Sequence, residues 1–450
     1  MSNTHNILQQ DIAHLWHPFT QMKLWPGEPP LVIERGEGNY LYDSDGNRYF
    51  DGVSSLWVTV HGHNHPDINA AIAEQLKHLD HSTLLGLTHP LAARLATELA
   101  KVCPGGLNKA FYSESGSTAV EIALKIAYQY WQQSGRPEKK TFVALGEAYH
   151  GDTIGAVSVG GIDLFHQVYG PLLFPVHRLP QPFCRHCPLG LTHPACDLAC
   201  ANALDPMLQE HGDEICGLIV EPRVQGAAGI IVQPEGYVRR LWDICKKHGI
   251  LFIADEVATG FGRTGTLFSC EQEGVEPDLM CLGKGITGGV LPLAATMATD
   301  QVYEAFLGEY DEFKTFFHGH TYTGNPLACA AALASLELME KNQVVEGTAP
   351  VIERFAQGLA QIAQMKHVVQ ARQHGLMAGV EITADKATDT PYEPGLRIPH
   401  QVIMAARKHG VIIRPLGDAI VLMPPLSSTT GDIDLLLDAL SKAIIEVCGS

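Results

Sequence analysis

The chain has 450 residues, 46% of them hydrophobic and 18% charged, and a formal net charge of −18. That length and apolar content allow one large core and a smaller second one, while the negative balance argues against nucleic acid or an anionic membrane as partner. No stretch approaches the roughly 18 consecutive apolar residues of a membrane span, and Met1 to Trp16 lacks the basic-then-apolar pattern of a secretory signal. A cytoplasmic protein acting on small molecules is the expectation.

In chain order, residues 31–60 read as short strands with turns, including Tyr42-Asp-Ser-Asp-Gly46-Asn. His61-Gly-His63-Asn-His65 alternates as a strand would, but no carboxylate motif accompanies it. It is read as a turn into a helix starting near Pro66 rather than as a metal triad. Apolar runs at residues 110–113, 141–145, 217–221, 250–255 and 278–282 then alternate with helix-length segments. This pattern predicts a mostly parallel sheet covered on both faces, with ligands at the carboxyl ends of its strands. Glu221, Asp255 and Lys284 fall at such ends. From about residue 340 long helices mix with strands such as 377–381 and 411–414. The two termini, 1–70 and 331–450, are expected to form a small domain beside a large cofactor-binding domain, 71–330.

Lys284 sits in Asp278-Leu-Met-Cys-Leu-Gly-Lys284-Gly, after a run ending Asp255-Glu256. An enzyme that holds pyridoxal phosphate needs a lysine for a Schiff base and a carboxylate to keep the pyridine nitrogen protonated. Ser115-Gly116-Ser117-Thr118 precedes a helical pattern. A glycine, hydroxyls and a helix N-terminus together suit a phosphate, although the same residues also make an ordinary Ser N-cap. Tyr149 and His150 follow the next strand, where either ring could stack on a flat cofactor.

Two other patterns compete. Gly260-Phe-Gly262-Arg-Thr-Gly265 imitates a dinucleotide fingerprint, but the stretch up to Pro277 is too short and broken for the required helix. Cys184-Arg-His-Cys187 with Cys196-Asp-Leu-Ala-Cys200 has acceptable spacing for zinc or an iron–sulfur cluster, but free or reversibly oxidised cytosolic thiols are the favoured reading.

The chain resembles class III aminotransferases of fold type I from Trp16-His17-Pro18-Phe19 to Met423-Pro-Pro425. The similarity runs through Ser115-Gly116-Ser117, Tyr149-His150-Gly151-Asp152, Asp255-Glu256, Arg263-Thr-Gly265, Leu282-Gly-Lys284 and Arg414-Pro415. Within that family it is similar to the branch that transaminates 8-amino-7-oxononanoate in biotin biosynthesis. The resemblance implies an α/β fold: a large domain with a mostly parallel seven-stranded sheet, plus a smaller α/β domain built from both termini. It implies pyridoxal 5'-phosphate on Lys284, Asp255 at the ring nitrogen, Tyr149 stacked on the ring, and Gly116, Ser117 and His150 at the cofactor. Thr321 would reach the phosphate from the neighbouring subunit of a homodimer. Phe19, Leu56, Trp57, Tyr149, Gly319 and Arg414 would contact substrate, with Arg414 clamping a carboxylate. The implied reaction is ping-pong, and the alternative is a class III transaminase of ω-amino acids or diamines. Members using S-adenosylmethionine as amino donor typically carry Tyr, Trp and Tyr where this chain has Phe19, Leu56 and Val421. A lysine-using branch resembles it at residues 18–23, 81–86 and 414–418, where Asp418 could meet an ammonium or simply follow a turn glycine. Both donors stay open.

Overall fold

The computed structural model describes residues 3–28 and 30–449. Three short strands come first: β1 (Ile33–Glu37), β2 (Tyr40–Asp43) and β3 (Arg48–Asp51). Asp43 closes the turn between the last two, its carboxylate accepting the N–H groups of Asp45 and Asn47 at 3.0 and 2.8 Å. The expected turn into a helix at Pro66 follows. His61 meets Ser335, His63 meets Asp51, and His65 caps the helix Pro66–Leu76 by accepting the Asp67 N–H; the His61 and His65 rings lie edge to face at 5.8 Å.

The middle of the chain supplies β4 (Leu107–Ser113), β5 (Thr141–Leu145), β6 (His177–Leu179), β7 (Ile215–Val220), a small pair β8 (Val224–Gln225) and β9 (Ile231–Val232), then β10 (Leu251–Asp255), β11 (Leu279–Leu282) and β12 (Ala294–Thr299). Seven of them form one sheet in the order β4-β12-β11-β10-β7-β5-β6. Only β12 runs against its neighbours, β11 and β4; the remaining pairings are parallel.

Alternation within each strand explains the two covered faces. Leu251 and Ile253 point into the cluster formed with Val120, Ile122 and Ala123 of the helix Gly116–Gln133. Phe252 and Ala254 point the other way, to Val238, Leu241 and Cys245 of the helix Tyr237–His248. Strands buried on both sides carry no polar face, which is why they read as continuous apolar runs. Two strands lacked that signature. β6 has only three residues, two of them His177 and Arg178, and β12 is rich in alanine, a weak strand former. Insertion between β4 and β11, not propensity, makes β12 a strand.

The last strands are β13 (Val368–His374), β14 (Met377–Ile382), β15 (Val411–Ile412), β16 (Arg414–Leu416) and β17 (Ala419–Leu422). Four of these make the antiparallel sheet β13-β14-β17-β16, whereas β15 pairs in parallel with β3, joining both terminal regions in one sheet. The chain passes from one sheet to the other at Ile413, which sets Arg414 beside the carboxyl edge of the seven-stranded sheet. After Gly260–Gly265 there is only the short turn Ser269–Glu273, so no dinucleotide helix forms. No helix among the described residues is long and apolar enough to cross a membrane.

Candidate active site

The loops following β4, β5, β7, β10 and β11 converge at one edge of the sheet around a cavity of about 530 Å³. Lys284 forms its floor. It adopts φ 44° at the start of the turn Lys284–Thr287, a left-handed conformation that costs a non-glycine residue roughly 1–2 kcal/mol. The strain falls where the turn aims the side chain into the cavity. The Lys284 amine lies 5.1 Å from the centre of the Trp57 ring. Burial holds its pKa below the ordinary lysine range, against the opposing pull of Asp255 and Glu221.

Asp255 ends β10 and is held from two sides: His150 Nδ1 donates to Oδ2 at 2.7 Å, and the Val257 N–H donates to Oδ1 at 3.1 Å. His150 Nε2 is buried with no partner. Glu221, fully enclosed, accepts the N–H groups of Tyr149 and Gly226 at 3.1 and 2.9 Å. Burial raises its pKa to about 7, only partly offset by the nearby His150.

The helix Gly116–Gln133 points its N-terminus at the same cavity, capped by Ser115 in a reciprocal pair with Thr118. A Cβ at Gly116 would lie 2.3 Å from Val257 Cγ1, so only glycine lets this turn pack against the loop after Asp255. The open N–H groups of the first turn and its dipole make an anion seat. Ser117 Oγ accepts the Thr153 N–H at 3.0 Å, and Thr153 in turn donates from its hydroxyl to Glu121 at 2.7 Å. Gly151, at φ 118°, is fixed by the same contact, since a Cβ there would fall 2.4 Å from Ser117 Oγ.

Phe19, Leu56, Trp57 and Phe165 line the upper walls, with Tyr149 and Arg414 at the rim. Phe165 meets Phe19 edge to face at 5.5 Å and Tyr149 at 6.3 Å. Tyr149 Oη donates to Asp152 at 2.8 Å, and burial pushes its pKa up. Arg414 stands 5.9 Å from the Phe19 ring centre, and burial lowers its pKa. Among the described residues its guanidinium has no carboxylate partner.

The cavity therefore brings together Phe19, Leu56, Trp57, Gly116, Ser117, Tyr149, His150, Asp255, Lys284 and Arg414. Gly319 and Thr321 are not there: they lie exposed on the loop before the helix Pro326–Lys341. Asp418 sits exposed on the turn between β16 and β17, also outside. Sequence reasoning missed Thr153, Phe165 and the half-buried Glu121 anchor. Thr153 follows Tyr149-His150-Gly151-Asp152 directly and could have been found by adjacency; Phe165 carried no signal.

A mostly parallel sheet with a half-buried lysine, a braced aspartate and a helix N-terminus around one cavity defines a pyridoxal phosphate enzyme. The sequence profile of the class-III aminotransferases matches residues 23–444, and the chain belongs to that family. It is 54% identical over 448 residues to adenosylmethionine-8-amino-7-oxononanoate aminotransferase of Nitratidesulfovibrio vulgaris, covering 99% of this chain and 83% of that one. The crystal structure of the enzyme of that name from Methanocaldococcus jannaschii superimposes with a TM-score of 0.95 at 44% identity, covering 99% of this chain and 100% of the other. An amine transaminase from an uncultivated Pseudomonas species, solved in its PLP-bound form, gives 0.91 at 38% identity over 96% and 98% of the two chains. Class-III aminotransferases depend on pyridoxal phosphate, and this site fits it. The unpartnered His150 Nε2, the helix N-terminus at Gly116 and a lysine without a hydrogen-bond partner belong to residues lining one cavity.

Proposed function

We propose that this chain transfers an amino group to 8-amino-7-oxononanoate, giving 7,8-diaminononanoate for biotin synthesis, in two half-reactions. One observation carries the reading: a free lysine at the floor and an unpaired arginine at the rim of the same cavity, separated by the apolar walls of Phe19, Leu56 and Trp57. That arrangement suits a long-chain oxo acid, its carbonyl below and its carboxylate above. The names of the relatives support the same substrate.

Pyridoxal phosphate, when bound, supplies an electron sink for the carbon that loses or gains the amino group. Lys284 would hold it and, once released, carry the proton to and from the substrate carbon; its lowered pKa keeps a fraction of the amine neutral for that task. Asp255, braced by His150, supplies the negative charge opposite the ring nitrogen. Gly116 and Ser117 with the helix N-terminus take the phosphate, and Tyr149 covers the ring. Arg414 takes the substrate carboxylate in a bidentate grip. The enzyme would work as a cytoplasmic homodimer in which Gly319 and Thr321 complete the partner's site. In support, Leu85, Tyr310 and Phe317 near that loop are 88%, 95% and 73% exposed in the single chain, and all eleven cysteines are free.

Two donors fit. S-adenosylmethionine is written in the relatives' names, and lysine agrees with the apolar Phe19 and Leu56 in the upper walls. The test is a stopped half-reaction on purified enzyme, adding each donor alone and following the loss of the cofactor's visible band, then adding 8-amino-7-oxononanoate. Recovery of the band with this oxo acid is expected. Recovery only with simple ketones or ω-oxo acids would assign the chain to the amine transaminases instead.

A further inference from the structure

The loop between the turn Tyr310–Glu312 and the helix Pro326–Lys341 carries Gly319 and Thr321. Its exposure alternates residue by residue: Lys314, Phe316, His318 and His320 are partly covered, while Thr315, Phe317, Gly319 and Thr321 are exposed. Alternation of this kind belongs to extended backbone, whose successive side chains leave on opposite sides. One side of the loop is gripped by its own chain and the other faces outward.

The grip comes from one stripe of the helix Gly116–Gln133, along which Lys125, Gln129 and Gln133 are spaced four residues apart. Gln129 donates to the Thr315 carbonyl at 3.0 Å, and Gln133 donates to the Lys314 carbonyl at 3.0 Å. Lys125 Nζ donates to His318 Nδ1 at 2.8 Å, His318 Nε2 meets His320 Nε2 at 3.2 Å, and His320 Nδ1 meets Glu114 Oε2 at 2.5 Å. The two ends fix the direction of this chain. An ammonium has only donors and a carboxylate only acceptors, so all three hydrogen bonds form together when both imidazoles are neutral and each passes one N–H toward Glu114. Burial first, then Lys125 and His320, holds His318 below the ordinary imidazole range, against the pull of Glu121 and Glu114. Phe316 stacks on His318, with ring centres 5.4 Å apart. Glu114, at the far end, directly precedes the helix cap Ser115.

We propose that the chain Lys125–His318–His320–Glu114 is a latch that sets Gly319 and Thr321 in place for the cofactor phosphate of the neighbouring subunit. This rests on the homodimer reading above. His318 and His320 flank Gly319, and Thr321 follows, so holding the two rings fixes the outward residues between and beside them. Without the latch the loop would lose its backbone freedom only on meeting the phosphate, and that entropy would be subtracted from the affinity. His318 and His320 are positioning residues, since neither lines the cavity of its own chain.

The test is the rate at which holoenzyme releases pyridoxal phosphate on dialysis, measured in mixed dimers of two differently tagged chains. Only a site that keeps Lys284 retains the cofactor's visible band, so each mixture reports one site. In the first mixture a wild-type chain is paired with a Lys284→Ala/His320→Phe chain, and the reporting site receives its loop from the variant. Release should be roughly tenfold faster than from wild type, the scale of one lost hydrogen bond to a charged group. In the second, a His320→Phe chain is paired with a Lys284→Ala chain, so the reporting site receives an intact loop and should release at the wild-type rate. Lys125→Met, an exposed position at the other end of the chain, should act in the same direction and decides the matter if the His320 variant does not assemble. Faster release in the second mixture, or unchanged release in the first for both variants, overturns the latch. Thr321→Ala in the same mixtures separates the two claims. If it has no effect across the interface, the homodimer reading falls and the latch with it; if it alone acts across the interface, that reading stands and the latch is overturned.

Discussion

His150 Nδ1 donates to Asp255 Oδ2 at 2.7 Å, and both side chains are almost completely buried at the end of β10. The pair fixes the orientation of a carboxylate that is out of contact with water. Asp255→Asn keeps the shape and removes the charge. Turnover is expected to fall by roughly 10²–10³-fold, the scale of losing one preorganised electrostatic contact, while folding by circular dichroism is unchanged. His150→Ala should cost about 1–3 kcal/mol of stability through the hydrogen bond left unmade, read as a lower urea midpoint. Full activity in Asp255→Asn would contradict the assigned role.

Lys284→Ala should lower turnover by about 10⁴-fold, the upper range for a lost acid–base group. Lys284→Arg tests why. It keeps the cation but cannot present a neutral amine, so steady-state assay should find it as inactive as the alanine variant.

Arg414 is half-buried and unpaired, so its substitution should act on the oxo acid and not on the fold. Arg414→Ala is expected to raise KM for 8-amino-7-oxononanoate by roughly 10–100-fold, the value of a charge-assisted hydrogen bond. Arg414→Lys should recover only part of this, since it lacks the planar fork. An unchanged KM with a lower Tm would make the residue structural.

Glu221 governs a pH dependence whose sign follows from its burial. Its pKa is raised to about 7 in the fold from the ordinary 4.5, so between those values the folded state binds more protons than the unfolded one. The stabilisation is complete below about pH 4.5 and is lost as pH rises through 7. Each tenfold gain in proton affinity on folding contributes at most about 1.4 kcal/mol. Glu256, also raised to about 7 by burial, adds to the same trend. Thermal unfolding from pH 5.5 to 8 should therefore show wild-type Tm falling, and Glu221→Gln should flatten the slope. Parallel curves for the two proteins would refute the assignment.

Much of this site is legible in the sequence. Lys284, Asp255 and Glu221 follow apolar runs, and a parallel sheet buries its strands on both faces, so each run and its end can be seen locally. Ser115-Gly116-Ser117 announces a helix start for the same reason, because capping depends on neighbours three residues apart. β12 and β6 are not visible, since one is alanine-rich and the other is three residues long. Phe165 sits on a four-residue helix whose sequence says nothing of the cavity it reaches.

What the sequence by itself determined is the set of local propensities: the apolar strands, the helix caps, and the order in which lysine, carboxylates and glycines meet the strand ends. Strand order, the insertion of β12, the pairing of β3 with β15 and the approach of Arg414 to Lys284 belong to the tertiary structure alone. The reason is physical. Periodicity and capping are decided by contacts a few residues apart, whereas neighbours in a sheet are chosen by which faces can be buried together across hundreds of residues. Lys284 owes its lowered pKa to that burial, and no neighbour in sequence could have shown it.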